Sequence, residues 1–414
     1  RNFGMFKEDM IWEFSMTDRL KFGIDAANEL GDEVAARDAE SVLIVTDDGV
    51  MEAGIIDEII DILPTGIEYD VFSEVESDPS AALMERAGRY AKEFDPDMIV
   101  GVGGGSSIDV GKCASVLCEH GGEILDYVAP PTGEGKNVPG PTRPYIEMPT
   151  TAGTGSESSS VADVSLPDQK LKVGVSDKHI YPNLSLVDPR LTASLPPAPT
   201  AMSGLDALSH AIEGYTTRRY DAKEQPDSPS DRPDYGGRNV LTDVLCRKAI
   251  ELIANNLRRA VNNGSDLDAR RNMLLGSTLA ALGFSNAGLG ATHALAYPVA
   301  GEHHTPHGLT IALLLPEVIR YNSSSAPSRY REIAEMLGKH TADLDQFEAA
   351  SKAAEAVNEL SEDVGMPDGL SAVGVSEHEI GVFAEDTMKL QRLLDGNPRK
   401  LDAEGAEKIF RRSL

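Results

Sequence analysis

A short β-branched run ending in carboxylates, a helix-patterned stretch and a second β-branched run ending in glycines follow one another early in the chain. This alternation constrains the fold more than any other feature. The first run is Ser41 to Thr46, closed by Asp47 and Asp48; the second is Met98 to Val102, closed by Gly103, Gly104 and Gly105. Between them, Ala81 to Phe94 places apolar residues at helical spacing, with Asp78-Pro79 as the start signal. Strands that alternate with helices predict a parallel sheet covered on both faces, of the Rossmann-like kind. After Asp188-Pro189 the texture changes. Leu195 to Pro199 reads as a linker, and Leu241 to Ala260, Arg270 to Leu282 and Gln346 to Val364 are long helical patterns rich in Ala and Leu. The expected organisation is an α/β Rossmann-like domain over residues 1–189 and an all-α domain over 190–414. Tyr220 to Gly237, polar and rich in Pro, reads as a mobile surface loop.

A chain of 414 residues is long enough for two cores. Apolar residues are 41% of it but never run on for the roughly 18 positions a membrane span needs. No signal pattern follows Arg1, whether or not the native start lies upstream. The formal charge of −29 is dispersed along the chain and would repel nucleic acid and anionic membrane, so neither is expected as a partner. Salt screens such a surface, so a halophilic source with a high-salt cytoplasm is expected, an ordinary acidic protein being the alternative. Cys113, Cys118 and Cys246 are an odd number without CxxC spacing, which fits reduced thiols in a cytoplasmic protein.

Two loops in the first half carry phosphate-binding chemistry. In Val102 to Asp109 (VGGGSSID), successive glycines let backbone N–H groups approach a pyrophosphate at a helix N-terminus, with Gly104, Gly105, Ser106 and Asp109 as the candidate contacts. The plain alternative is a strand-to-helix turn with Ser106 as N-cap and Asp109 in the first turn. Pro149 to Glu157 (PTTAGTGSE) gathers hydroxyls and glycines that suit a ribose, a phosphate or an amide; as structure alone it would be a helix start capped by Thr154 or Ser156. Asp47 stands at the end of the first β-branched run, and as plain structure Asp47-Asp48-Gly49 would be turn residues only.

The second half carries metal chemistry. Asp206 and His210 are four apart, hence on one face of a helix, and His293 and His307 add two imidazoles. One carboxylate and three imidazoles make a four-ligand set suited to Fe(II) or Zn(II), although a lone Asp-x-x-x-His is more often an exposed pair. His303 and His304 read as bystanders.

Taken together, VGGGSSIDVGK (102–112), PTTAGTGSE (149–157), GLDALSHAIEGY (204–215), GFSNAGLGATHALAYP (283–298) and TPHG (305–308) resemble the iron-containing alcohol dehydrogenase family, in order and spacing, over essentially the whole chain. The resemblance implies a dehydroquinate synthase-like architecture, with cofactor and metal meeting between the domains, and a metal-dependent, NAD(P)-linked alcohol dehydrogenase or carbonyl reductase. It implies Asp206, His210, His293 and His307 as ligands, contacts from Gly104, Gly105, Ser106, Thr150, Thr151 and Thr154 to the dinucleotide, and Lys172 near its ribose. It also implies an adenosine ribose held where Asp47 ends its strand; a carboxylate there accepts a 2′-hydroxyl and repels a 2′-phosphate, so NAD is expected over NADP. A small alcohol or aldehyde is the expected substrate, and a homodimer the expected assembly. Two features depart from the family. Tyr297 stands where many members have a second histidine, one helical turn after His293; it is expected to shape the substrate pocket, or else only to pack on Pro298. The 220–237 loop is also longer than in compact members. The rivals are a hydroxyacid–oxoacid transhydrogenase, a non-redox lyase of the dehydroquinate synthase type, and a non-enzymatic binding protein.

Overall fold

The computed structural model describes residues 10–169, 171–223, 226–229 and 232–414. Packing divides the described residues into two compact units, each discontinuous in sequence: one within 16–203 and 259–278, the other within 10–15, 204–258 and 279–414. Sequence texture places the cut near residue 190; packing carries the first unit on to Ser203.

The first unit holds every named strand: β1 (Leu20–Phe22), β2 (Ser41–Asp47), β3 (Glu68–Val75), β4 (Met98–Gly103), β5 (Tyr145–Pro149), β6 (Val161–Leu166), β7 (Leu171–Ser176) and β8 (Leu184–Val187). Six form one sheet in the order β1-β8-β5-β4-β2-β3, with every pairing parallel, and β6 and β7 make a separate antiparallel ribbon. Side chains of β2 alternate between two cores. Val42 and Ile44 join Leu30, Val34, Ile56 and Ile59 on one face, and Leu43 and Val45 join Met84, Ala87 and Val116 on the other. Burial on both faces explains why β2 and β4 read as continuous apolar runs. The strand order reverses between β2 and β4, and the crevice beyond the carboxyl ends of such neighbours is where open α/β sheets bind ligands.

The expected helices are present. Ala81–Phe94 is capped by Ser80, whose hydroxyl accepts the Leu83 amide at 3.2 Å; Val240–Asn262, Leu267–Ala287 and Gln346–Asp363 cover the three later patterns. Two local readings are corrected. Leu195 to Pro199 is not a linker, because Pro197 begins the Pro197–Thr216 helix, where the first turn needs no amide donor. Ser106 is not an N-cap, since Gly104 occupies that position and the helix starts at Gly105. In the 220–237 segment, Glu224, Gln225, Ser230 and Asp231 lie outside the described residues, as do residues 1–9 with Arg1. The far end of the segment is anchored: Tyr235 is buried against Leu289 and Leu295, and its carbonyl accepts from Lys223 Nζ at 2.8 Å.

Beyond β8 the described residues form helices and turns, with one isolated bridge between Arg219 and Arg238. The second unit's core gathers Ala294, Leu295, Val299, Ile311, Leu314, Phe383 and Phe410. Among the described residues, no single helix is long and apolar enough to cross a membrane. The three cysteines are buried.

Candidate metal centre and dinucleotide cavity

Within the second unit, the Pro197–Thr216 helix presents Asp206, His210 and Glu213 at i, i+4 and i+7, so the three side chains leave one face, and all are buried. His293 comes from the first turn of the Ala291–His303 helix, and His307 opens the His307–Asn322 helix. One oxygen, Asp206 Oδ1, lies 3.6 Å from His210 Nε2, 3.5 Å from His293 Nε2 and 3.7 Å from His307 Nε2. Ligand atoms of Asp206, His210 and His293 all fall within 4.8 Å of one another, and His307 closes the group from its more exposed side.

These spacings test whether a cation fits. Donors about 2.0–2.2 Å from one tetrahedral ion stand roughly 3.3–3.6 Å apart, close to what is observed and too far for good hydrogen bonds. Asp206 Oδ1 and His293 Nε2 are buried and make no hydrogen bond, which a protein interior rarely tolerates without a further partner. The residues present therefore fit a divalent cation.

Ring packing and Glu213 fix the imidazoles. His210 stacks on Phe284 at 4.3 Å and on His293 at 4.7 Å between ring centroids. Glu213 Oε2 lies 2.5 Å from His293 Nδ1, and since a carboxylate only accepts, Nδ1 carries the proton and Nε2 is left to face Asp206. The other oxygen, Glu213 Oε1, accepts the Thr292 amide at 2.7 Å. Burial favours the uncharged forms throughout this cluster, but the opposing charges prevail. His293, between Glu213 and Asp206, is pushed up to about 9; Glu213 is lowered by His293; and Asp206 is held well below the usual carboxylate range by its three imidazoles.

Tyr297 follows His293 by one turn, with its ring 5.9 Å from that of His307. His303 bonds Glu379 at 2.8 Å, and His304 ends its helix in a left-handed conformation with φ 50°.

Within the first unit, the β2/β4 crevice is a cavity of about 660 Å³ lined by Asp47, Gly104, Gly105, Ser106, Thr150 and Thr151 among others. Gly103 has φ +154°, and a Cβ there would stand 2.5 Å from Ser107 Oγ; a Cβ on Gly105 would stand 2.7 Å from Thr154 Cγ2. Glycine is thus required for the second loop to lie directly on the first. Asp47 ties the crevice together: Oδ1 accepts the Val50 amide at 3.1 Å and Oδ2 accepts the Ser107 hydroxyl at 2.8 Å.

Three candidates lie off this lining. Thr154 packs over Gly105, while Asp109 is buried and accepts the Asp163 amide at 3.0 Å. Lys172 pairs with Asp78 at 3.0 Å and Asp163 at 3.6 Å. Sequence reasoning missed Glu213, although its place seven residues after Asp206 was the available signal.

Two family models match the chain: "Iron-containing alcohol dehydrogenase" over residues 17–189 and "Fe-containing alcohol dehydrogenase family, C-terminal" over 237–414. Over 411 residues the chain is 33% identical to the mitochondrial hydroxyacid-oxoacid transhydrogenase of Bos taurus, covering 95% of this chain and 88% of that protein. It is 36% identical over 383 residues to long-chain-alcohol dehydrogenase 1 of Geobacillus thermodenitrificans, covering 92% and 91%. Among solved structures, a 1,3-propanediol oxidoreductase superposes with a TM-score of 0.88 at 33% identity, covering 98% of this chain and 100% of that one.

Proposed function

The chain belongs to the iron-containing alcohol dehydrogenase family and is an alcohol oxidoreductase, and from that premise we propose that it interconverts a small alcohol with its aldehyde or ketone using NAD and a divalent cation, Fe(II) or Zn(II), held by Asp206, His210, His293 and His307. The convergence of three imidazole Nε2 atoms on Asp206 Oδ1 carries this reading. When bound, the cation supplies Lewis acidity toward the substrate oxygen and the dinucleotide supplies the hydride acceptor.

The chain's own part is to hold and to orient. Glu213 keeps the proton on His293 Nδ1, and Phe284 with His293 fixes the plane of the His210 ring. The Gly105–His120 helix directs its N-terminal amides at the crevice, where we place the pyrophosphate. Asp47, Asp48, Glu52 and Glu76 line that crevice and, among the described residues, no Lys or Arg does; this supports NAD over NADP, since a 2′-phosphate would meet only negative charge. Phenols ionise near pH 10, so we assign Tyr297 to the shape of the substrate pocket and not to proton removal.

A second reading is hydride exchange between a hydroxyacid and an oxoacid on retained dinucleotide. The bovine relative bears that name, and this chain has a His293-x-x-x-Tyr297-Pro298 stretch. Metal analysis combined with two assays separates the readings. Alcohol-dependent reduction of added NAD supports the dehydrogenase; exchange without added NAD, and no net NADH, supports the transhydrogenase.

We further assign the chain to a high-salt cytoplasm, on its −29 charge and buried free thiols, and to a dimer, on its family resemblance alone. A melting temperature flat from about 0.1 M to molar salt would contradict the first, and elution as a monomer the second.

A further inference from the structure

We propose that Lys112 is a positioning residue for the dinucleotide, locking the threonine loop onto the glycine turn through a cage of main-chain carbonyls. The proposal rests on reading the β2/β4 crevice as the dinucleotide site. Lys112 lies two turns into the helix that starts at Gly105 and is fully buried. Its ammonium donates to the carbonyls of Ser156 at 2.7 Å, Ser159 at 2.9 Å and Val161 at 3.0 Å, with Ser159 Oγ at 3.2 Å. Three N–H donors thus meet three carbonyls.

Buried lysines normally sit against a carboxylate, yet the nearest ones, Glu147 Oε1 at 3.9 Å and Asp109 Oδ1 at 4.0 Å, are beyond hydrogen-bond reach. The cation is spent on backbone. What it fixes is the chain just after the threonine loop. Thr154 Oγ1 accepts the Ser156 amide at 3.3 Å, and the Thr150 amide bonds the Gly103 carbonyl at 2.9 Å. Thr151 and Thr154 pack where side chains on Gly104 and Gly105 would be.

Asp109, one turn earlier on the same helix, holds the Asp163 amide, so the helix grips both ends of the 156–163 segment. Removing the ammonium takes a donor from each of three buried carbonyls; that of Ser156 keeps the Ser159 amide at 3.1 Å and that of Val161 the Ser159 hydroxyl at 3.3 Å, but the Ser159 carbonyl loses its ammonium donor and the segment loosens. Thr150 and Thr151 move with it, whereas the four candidate metal ligands belong to the other unit.

NADH titration of the metal-loaded full chain, wild type against Lys112→Met, with metal content and far-UV circular dichroism recorded, tests the proposal. The expected result is a Kd for NADH raised about ten- to a hundredfold, with metal content unchanged and kcat at saturating dinucleotide within about threefold of wild type. A folded Lys112→Met with wild-type Kd overturns the role of Lys112. Failure of the wild type itself to bind NADH overturns the reading of the crevice together with this proposal. Should Lys112→Met not fold, Lys112→Arg keeps the charge but cannot place three donors at one point, and it is expected to raise the Kd in the same sense; an unchanged Kd there counts equally against the proposal.

Discussion

Glu213 accepts the Nδ1 proton of His293 across 2.5 Å and, with its other oxygen, the amide of the preceding Thr292 across 2.7 Å. One carboxylate therefore sets the tautomer of the imidazole and anchors the start of the helix that carries it. A glutamine here still accepts a hydrogen bond but brings no charge, so His293 becomes a weaker donor to a cation. Glu213→Gln is expected to lower metal affinity about 10- to 100-fold while the fold persists, read by chelator competition. Equal affinity in the two proteins would show that Glu213 serves only the helix.

Asp47 lines the crevice and also bonds Val50 and Ser107. Asp47→Gly is expected to raise NADP efficiency relative to NAD by about tenfold or more, through loss of a like charge, and to lower the melting temperature through loss of the cap. The carboxylates of Asp48, Glu52 and Glu76 remain, so NAD should still be favoured. An unchanged NADP/NAD ratio counts against Asp47 as the discriminating group.

Tyr297 shares its helix with His293, and its ring lies 5.9 Å from that of His307. Tyr297→Phe is expected to keep turnover within about threefold of wild type, and Tyr297→His to shift substrate preference with the metal retained. A large fall in kcat for Tyr297→Phe at unchanged KM would place the phenol in proton transfer.

Away from the site, Glu33 is buried against Lys21 at 2.6 Å, Arg37 at 2.5 Å and Arg19 at 3.0 Å. Burial raises its pKa, but hydrogen bonds from Lys21, Arg37 and Arg19 outweigh this and bring it down to about 2. Because the folded value lies below the unfolded one of about 4.3, the contribution to stability is complete above that pH and fades as pH falls toward 2. Glu33→Gln should therefore melt below wild type at pH 7, with the gap narrowing from about pH 5 to pH 2 at constant salt. A gap that does not depend on pH would contradict the assignment.

The sheet, the glycine turn and the start of the Asp206 cluster were legible in the sequence because each leaves a local trace. Continuous apolar runs mark β2 and β4, consecutive glycines mark the turn, and a four-residue interval marks Asp206 and His210. Pro197 misled because proline suits a loop and a first helical turn equally well. Glu213 shares the face of Asp206 and His210 by its spacing, but glutamates on helices usually face water, and the meeting of two helices is what buries this one. The Lys112 cage had no sequence trace at all, since carbonyls carry no letter and the three acceptors come from 44 to 49 residues further along the chain.

We propose that Asp206 Oδ1 and three imidazoles hold a cation that the reaction requires. Metal content and NAD-linked alcohol oxidation, measured on the same preparations of wild type and Asp206→Asn, test it most directly. A single divalent cation per chain is expected in the wild type, and an Asp206→Asn protein that is folded, largely metal-free and nearly inactive. An Asp206→Asn protein with stoichiometric metal and wild-type turnover would contradict it.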